Sequence, residues 1–181
     1  DDTQIYVSCA ASDRCHTSVG VSEIESSMSS NRLKLNASKT EFVWIGTRRQ
    51  LSKVEEEDLM VGGQSVTPMV KVRDLGVFID RELTMEAHVS NTVRGCMYQL
   101  RQLRSVKRSL TLDSRRALAT AFVASRIDYC NGVLYGVAKG EVQRLQMVLN
   151  AAARLVVGTG KFGHVTPILR DVLHWLPVQH R

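Results

Sequence analysis

Long hydrophobic runs are absent from this 181-residue chain. No apolar stretch approaches the ~20 residues that span a bilayer, so no membrane partner is expected. Aromatic residues amount to only 6%, yet hydrophobic residues reach 44%, enough for a real core. The four cysteines, Cys9, Cys15, Cys96 and Cys130, do not form a dense disulfide framework and read as ordinary intracellular thiols. The start is acidic and polar, unlike the basic-then-apolar order of a signal peptide. It also lacks an initiating methionine, so the chain is expected to be a fragment cut inside something larger.

What is present is charge, unevenly spread. The net charge is +6. Residues 1–80 carry nine Lys and Arg against twelve Asp and Glu, a balance of −3. Residues 81–181 carry fifteen against six, a balance of +9. A strongly basic second half suggests a polyanionic partner; the alternative is a solvated basic surface.

The hydrophobic period divides the chain in the same way. Thr3 to Cys9 alternates as a strand does. Val21, Ile24 and Met28 share one helix face that ends near Asn31. "LKLN" and "TEFVWIG" read as two short strands joined by a turn at "NASK". "LSKVEEEDLM" is a charged connection, "MVGGQSV" a hairpin around Gly62-Gly63, and "VRDLGVFIDREL" a further strand in which Gly76 marks a close approach or bulge. From about Thr84 the period becomes 3.6. Val89, Val93, Cys96, Leu100 and Leu103 form the seam of a long helix. A second helix is expected over 112–126, with Leu118, Ala121, Phe122 and Ser125 inward. A third, over about 141–157, places Val142, Leu145, Leu149, Ala152 and Val156 inward and stops at Gly158. A fourth begins with Thr166 as N-cap and Pro167 at the first helical position, and ends by Pro177. The fold class is α+β, with an all-helical second part.

Candidate chemistry begins at Asp1 and Asp2. Adjacent carboxylates at a strand start are usually structural. The chemistry that wants them is two-metal phosphoryl transfer, in which two Mg²⁺ ions about 3.5–4 Å apart stabilise attacking and leaving oxygens. A tight hairpin presents both carboxylates together, whereas an extended strand sends them to opposite faces.

The blocks "DDTQIYVS", "NRLKLNASKTEFVWIG", "VRDLGVFIDRELTMEAHV", "YQLRQLRSVKRSL", "SRIDYCNGVLYG", "RLQMVLNAAARLVVGTGKFGHVTPIL" and "LHWLPVQHR" occur in that order. Together they resemble the reverse transcriptases of LINE-type (non-LTR) retrotransposons, in the jockey and chicken-repeat group, over essentially the whole chain. The resemblance implies an RNA-directed DNA polymerase that adds dNTPs to a primer 3′ hydroxyl on an RNA template. It implies a partial palm over 1–82, beginning inside the metal-binding turn. Thumb-like helices would follow over 83–138 and a helical post-thumb region over 139–181. Asp1 and Asp2 match the metal-binding aspartates and would share two Mg²⁺ with an aspartate from an earlier motif. That aspartate, the fingers and the rest of the palm would belong to the missing part of the parent chain. Lys39 matches a palm lysine that steadies phosphate charge or protonates the leaving pyrophosphate; otherwise it is a turn lysine in solvent. Leu75 and Gly76 match the primer grip, where backbone approaches the primer end, and Asp80 reads as a turn former. The resemblance implies an intracellular setting, nuclear or in a cytoplasmic ribonucleoprotein.

On the long helix Arg94, Arg101, Arg104 and Arg108 fall within one stripe about 80° wide at about 100° per residue. Such a stripe suits a duplex backbone, although some of these arginines could pair with helix acids. Two positions depart from the family pattern: Ser27 replaces a usual tryptophan and Leu149 a usual glutamine.

Other signals carry less. Cys9, Cys15 and His16 do not have a zinc spacing, and His164, His174 and His180 are too scattered to complete one. "GTGK" has Phe162 where a phosphate loop needs Ser or Thr, so helix-ending glycines explain it better. Asn36-Ala37-Ser38 matches a glycosylation acceptor only in a secreted context. Ser125 lacks a nucleophile elbow. His174 and Trp175 read as a small helical core with partnered ring nitrogens, with base stacking by Trp175 as the alternative. Two functions remain: part of a polymerase whose isolated fragment is catalytically dead, or a non-catalytic basic nucleic-acid-binding module from a decayed element.

Overall fold

The computed structural model describes residues 4–8, 15–54, 57–160 and 163–181, with side chains left aside at 15–19. The chain divides into two compact units, Asp1–Leu83 and Thr84–Arg181. The break falls where the hydrophobic period changes.

In the first unit, helix α1 (Cys15–Ser30) presents half-buried Val21, Ile24 and Met28 as their spacing requires. It packs against strand β1 (Leu59–Val61), which pairs with β2 (Gln64–Val66) in the register Leu59–Val66 to Val61–Gln64. Gly62 and Gly63 turn the hairpin with φ of 57° and 77°. Both angles lie in the region that only glycine enters without a Cβ penalty, as the two-residue turn demands. The Gly62 amide donates to the Glu25 carboxylate of α1, tying the turn to the helix. A second antiparallel hairpin joins β3 (Lys71–Asp74) to β4 (Val77–Asp80). The expectation of a single strand here is corrected. Leu75 and Gly76, with φ of 43° and 90°, form a second two-residue turn. Leucine at the first position had concealed it.

Three strand expectations also fail. Residues 4–8 form no strand, and Thr3 and Cys9 lie outside the described residues. Residues 33–36 and 40–45 form no strand ladder. Alternation marks a surface with two faces, but a strand also needs a partner edge. Here only isolated bonds form: Met69 N–H donates to Phe42 O at 2.7 Å and Gly46 N–H to Arg81 O at 3.0 Å. The expected turn is present as a 3₁₀ turn, Ala37–Lys39. Just before the charged connection a short helix, α2 (Arg48–Leu51), is fixed by a capping box between Thr47 and Gln50.

The second unit is helical. Helix α3 (Glu86–Val106) buries Val89, Cys96, Leu100 and Leu103 and half-buries Val93, the expected seam. The next helical run is α4 (Leu112–Ala119), a π segment (Thr120–Ala124) and α5 (Ser125–Asp128), started by the Thr111 hydroxyl accepting from Ser114 N–H at 3.2 Å. Of the expected inner face Leu118 is half-buried against the core, while Ala121, Phe122 and Ser125 are exposed; the buried positions are Ala119, Val123, Ala124 and Ile127. Small Ala119 and Ala124 admit close packing, and the π turn inserts a residue that rotates everything beyond it. Helix α6 (Lys139–Val157) buries Leu145, Leu149, Ala152 and Val156, and Gly158 ends it at φ 83°. A π-helical turn, Ile168–Leu173, adds Leu169 and Leu173 to the same core. Thr166 stands in its opening turn, not outside it as a cap, and His174 closes it at φ 55° on the exposed side. Only Trp175 of that pair packs on the core. No helix among the described residues is long and apolar enough to cross a membrane.

Candidate nucleic-acid interface

The sequence-derived positions separate into three places. Asp1 and Asp2 lie outside the described residues. Among those described, no three His, Cys, Asp or Glu side chains gather as a cation site. Asp80 is a turn former: its Oδ1 accepts from Glu82 N–H at 3.2 Å and its carbonyl from Leu83 N–H at 2.9 Å.

Lys39 ends the 3₁₀ turn and is exposed. Asn36 holds this turn, its Oδ1 accepting from Ser38 N–H at 3.2 Å and Ser38 Oγ at 2.7 Å. Thr40 Oγ donates back to the Asn36 carbonyl at 3.0 Å. The lysine stem thus leaves a braced turn, with its ammonium group in solvent. Leu75 and Gly76 sit at the tip of the β3–β4 hairpin, where the Leu75 side chain is 67% exposed. The tip thus carries one bulky exposed side chain beside a glycine that has none.

The arginines occupy the helical unit. Arg94, Arg101 and Arg104 are exposed on α3, on a face that flanks its buried seam. Arg108 is exposed in the 3₁₀ turn Lys107–Ser109, one step beyond the α-helix, so the helical projection holds for three of the four. No described residue forms an ion pair with any of them. The reason is an acid shortage. Thr84–Arg181 holds five carboxylate side chains: Glu86, Asp113, Asp128, Glu141 and Asp171. Glu141 takes Arg144 at 2.7 Å, Asp171 takes Arg170 at 2.6 Å, and Asp128 takes Arg181. Glu86 and Asp113 stand in the first turns of α3 and α4, where carboxylates favour the helix dipole. Among the described residues of Thr84–Arg181 no carboxylate pairs with the stripe.

Sequence reasoning missed a cleft on the same surface. Arg126 of α5 reaches across to α3, and with Arg94, Arg101 and Tyr98 it lines an open space of about 490 Å³. Gly95 makes the approach feasible, since a Cβ there would stand 2.4 Å from Arg126 Nη1. A glycine inside an otherwise regular helix was the signal available in the sequence. Beneath it, burial pushes the Cys96 thiol up to about 11, against the opposing effect of the Arg126 charge. Cys96 is consequently a protonated core residue and not a nucleophile. Cys130 is a free, exposed thiol.

No family model matches the chain, and no solved structure does. It is similar to a probable RNA-directed DNA polymerase from transposon BS of Drosophila melanogaster, at 32% identity over 109 residues. That alignment covers 58% of this chain and 12% of the relative, so the chain spans about an eighth of the relative's length. The match supports a relationship to reverse transcriptases.

Proposed function

We propose that this chain is part of an RNA-directed DNA polymerase of a non-LTR retrotransposon, of the jockey and chicken-repeat kind. In this reading Asp1–Leu83 is the later part of the palm and Thr84–Arg181 holds the thumb and the helices after it. The observation that carries the reading is the unneutralised arginine stripe of α3, which suits the phosphate backbone of a template–primer duplex. The partial similarity to a transposon polymerase supports the same view.

Each part then has a task. The α3 arginines hold phosphates and set the register of the duplex without reading its sequence. The Leu75-Gly76 tip lets backbone approach the primer end. Lys39, on its braced turn, offers positive charge or a proton to the departing pyrophosphate. Asp1 and Asp2 would hold Mg²⁺, which stabilises the oxygens exchanged at phosphorus. Part of the catalytic carboxylate set belongs to residues outside this chain, so the 181-residue piece alone binds without polymerising.

The test has two arms. With the 181-residue chain, affinity for an RNA–DNA hybrid is measured against salt concentration. Exchanging Arg101 and Arg104 for glutamine should lower the logarithmic salt slope by about 2, at about 0.9 per phosphate contact. An unchanged slope overturns the stripe. In the longer parent protein, Asp1→Asn with Asp2→Asn should abolish synthesis and spare template binding. If synthesis survives, Asp1 and Asp2 are not its essential carboxylates; if the unsubstituted parent synthesises nothing, the polymerase reading fails and a non-catalytic binding module takes its place.

A further inference from the structure

The cleft between α3 and α5 differs from the stripe in composition. On α3, Asn91, Arg94, Tyr98 and Arg101 recur at spacings of three, four and three, so they share one face. Arg126 closes the other side from α5, its guanidinium lying over Gly95. Three guanidinium groups thereby surround one open space without an ion-pair partner among the described residues. Their mutual repulsion is relieved by an anion between them. Guanidinium forks match phosphate oxygens two at a time. A mid-helix glycine is unfavourable relative to alanine, and α3 has one where the Arg126 guanidinium lies.

Tyr98 adds a second recognition element. Its ring is 52% exposed and stands between Arg94 and Arg101, one turn from each. An exposed aromatic face beside phosphate-binding groups accepts a nucleobase. The Asn91 and Gln99 amides at the rim offer donors and acceptors to a base edge or a sugar hydroxyl. In a duplex the bases are stacked on one another and cannot lie on Tyr98. A single strand has bases free to do so.

We propose that this cleft is a seat for one nucleotide of a single-stranded nucleic acid, its phosphate held by Arg94, Arg101 and Arg126 and its base laid on Tyr98. The inference rests on the nucleic-acid-binding reading of the helical unit and adds a site for unpaired strand beside the duplex stripe. Arg94 and Arg101 belong to both, so a strand seated in the cleft would leave Arg104 and Arg108 to follow paired template and primer.

The experiment uses the 181-residue chain with two probes, a short single-stranded RNA and a blunt RNA–DNA hybrid, titrated by fluorescence anisotropy at several salt concentrations. Tyr98→Leu should weaken single-strand binding about tenfold and leave hybrid binding unchanged, whereas Tyr98→Phe keeps both. Arg126→Gln should reduce the single-strand salt slope by about 0.7. The inference is overturned if Tyr98→Leu spares single-strand binding or weakens both probes alike. It is also overturned if Arg126→Gln leaves the slope intact. Wild-type chain that binds neither probe in a salt-dependent way removes the nucleic-acid reading as well. Binding that responds to Arg104→Gln with Arg108→Gln, but not to Tyr98 or Arg126 changes, removes the cleft alone.

Discussion

Two residues show how local physics sets measurable behaviour. His88, in the first turn of α3, is 7% exposed, and its Nδ1 is buried without a hydrogen-bond partner. Burial lowers its pKa below the usual histidine value, because a charged imidazolium is poorly solvated there. The folded chain therefore holds the neutral ring, while the unfolded chain protonates at about 6.5. Stability from this residue is present above that pH and is lost as pH falls through the lower folded value. Urea midpoints should fall between pH 7 and pH 5, and His88→Gln should flatten that fall; equal slopes would remove His88 as the source. Leu75 presents the opposite situation, an exposed residue in a costly conformation. At φ 43° its Cβ crowds the backbone, a penalty of about 1–2 kcal/mol. Leu75→Asn should recover about 1 kcal/mol, read as about fivefold slower hydrogen exchange across β3–β4. If primer-end binding weakens at the same time, the strain is retained for contact; unchanged exchange would mean the turn is relaxed as it stands.

At the scale of elements, legibility followed periodicity. The seams of α3 and α6 were plain because each repeats over several turns, and Gly158 and the Gly62-Gly63 pair marked an end and a turn that need positive φ. The β3–β4 turn was hidden, since leucine is not the residue that a left-handed position predicts. The face of α4 to α5 was misread because an i to i+5 bond has no residue signature, and one inserted position turns every later side chain. The arginine stripe could be seen along one helix. Arg126 could not, being brought to Arg94 by tertiary packing across 32 positions of sequence. Of the elements, α6 contributes the deepest part of the helical core, with Leu149 fully buried at the position where the family resemblance expected glutamine. Leu149→Ala should cost the helical unit about 3 kcal/mol through lost transfer energy and a residual cavity. Leu149→Gln should cost at least as much by burying an amide. A urea midpoint that does not move for either variant would place Leu149 outside the cooperative core.

The whole molecule is divided unequally. Of the 21 buried hydrophobic residues described, only Val61 and Val77 belong to Asp1–Leu83; the other 19 belong to Thr84–Arg181. The first unit gains its order from two short hairpins, half-buried side chains and bonds such as Glu25 to Gly62. Its Arg48–Glu82 ion pair at 3.3 Å is solvent-exposed on the arginine side and adds little. The second unit joins four helical runs around one core. Gln146 of α6 also accepts from Val178 N–H at 2.8 Å, and Arg181 bonds Asp128 of α5, so its last turn is fastened to two helices. Charge follows the same division, since the second unit carries fourteen basic and five acidic residues. A unit with most of the core and the whole excess of positive charge should fold and bind without the other. Residues 84–181 expressed alone should therefore give a cooperative helical unfolding transition and keep most of the hybrid affinity and its salt slope. Residues 1–83 alone should show little protection from hydrogen exchange, because burial on that scale does not offset the entropy of ordering a chain of this length. If residues 84–181 instead lose the cooperative transition, the core needs the first unit. If they fold but lose salt-dependent binding, the arginine stripe is insufficient and binding requires residues of the first unit.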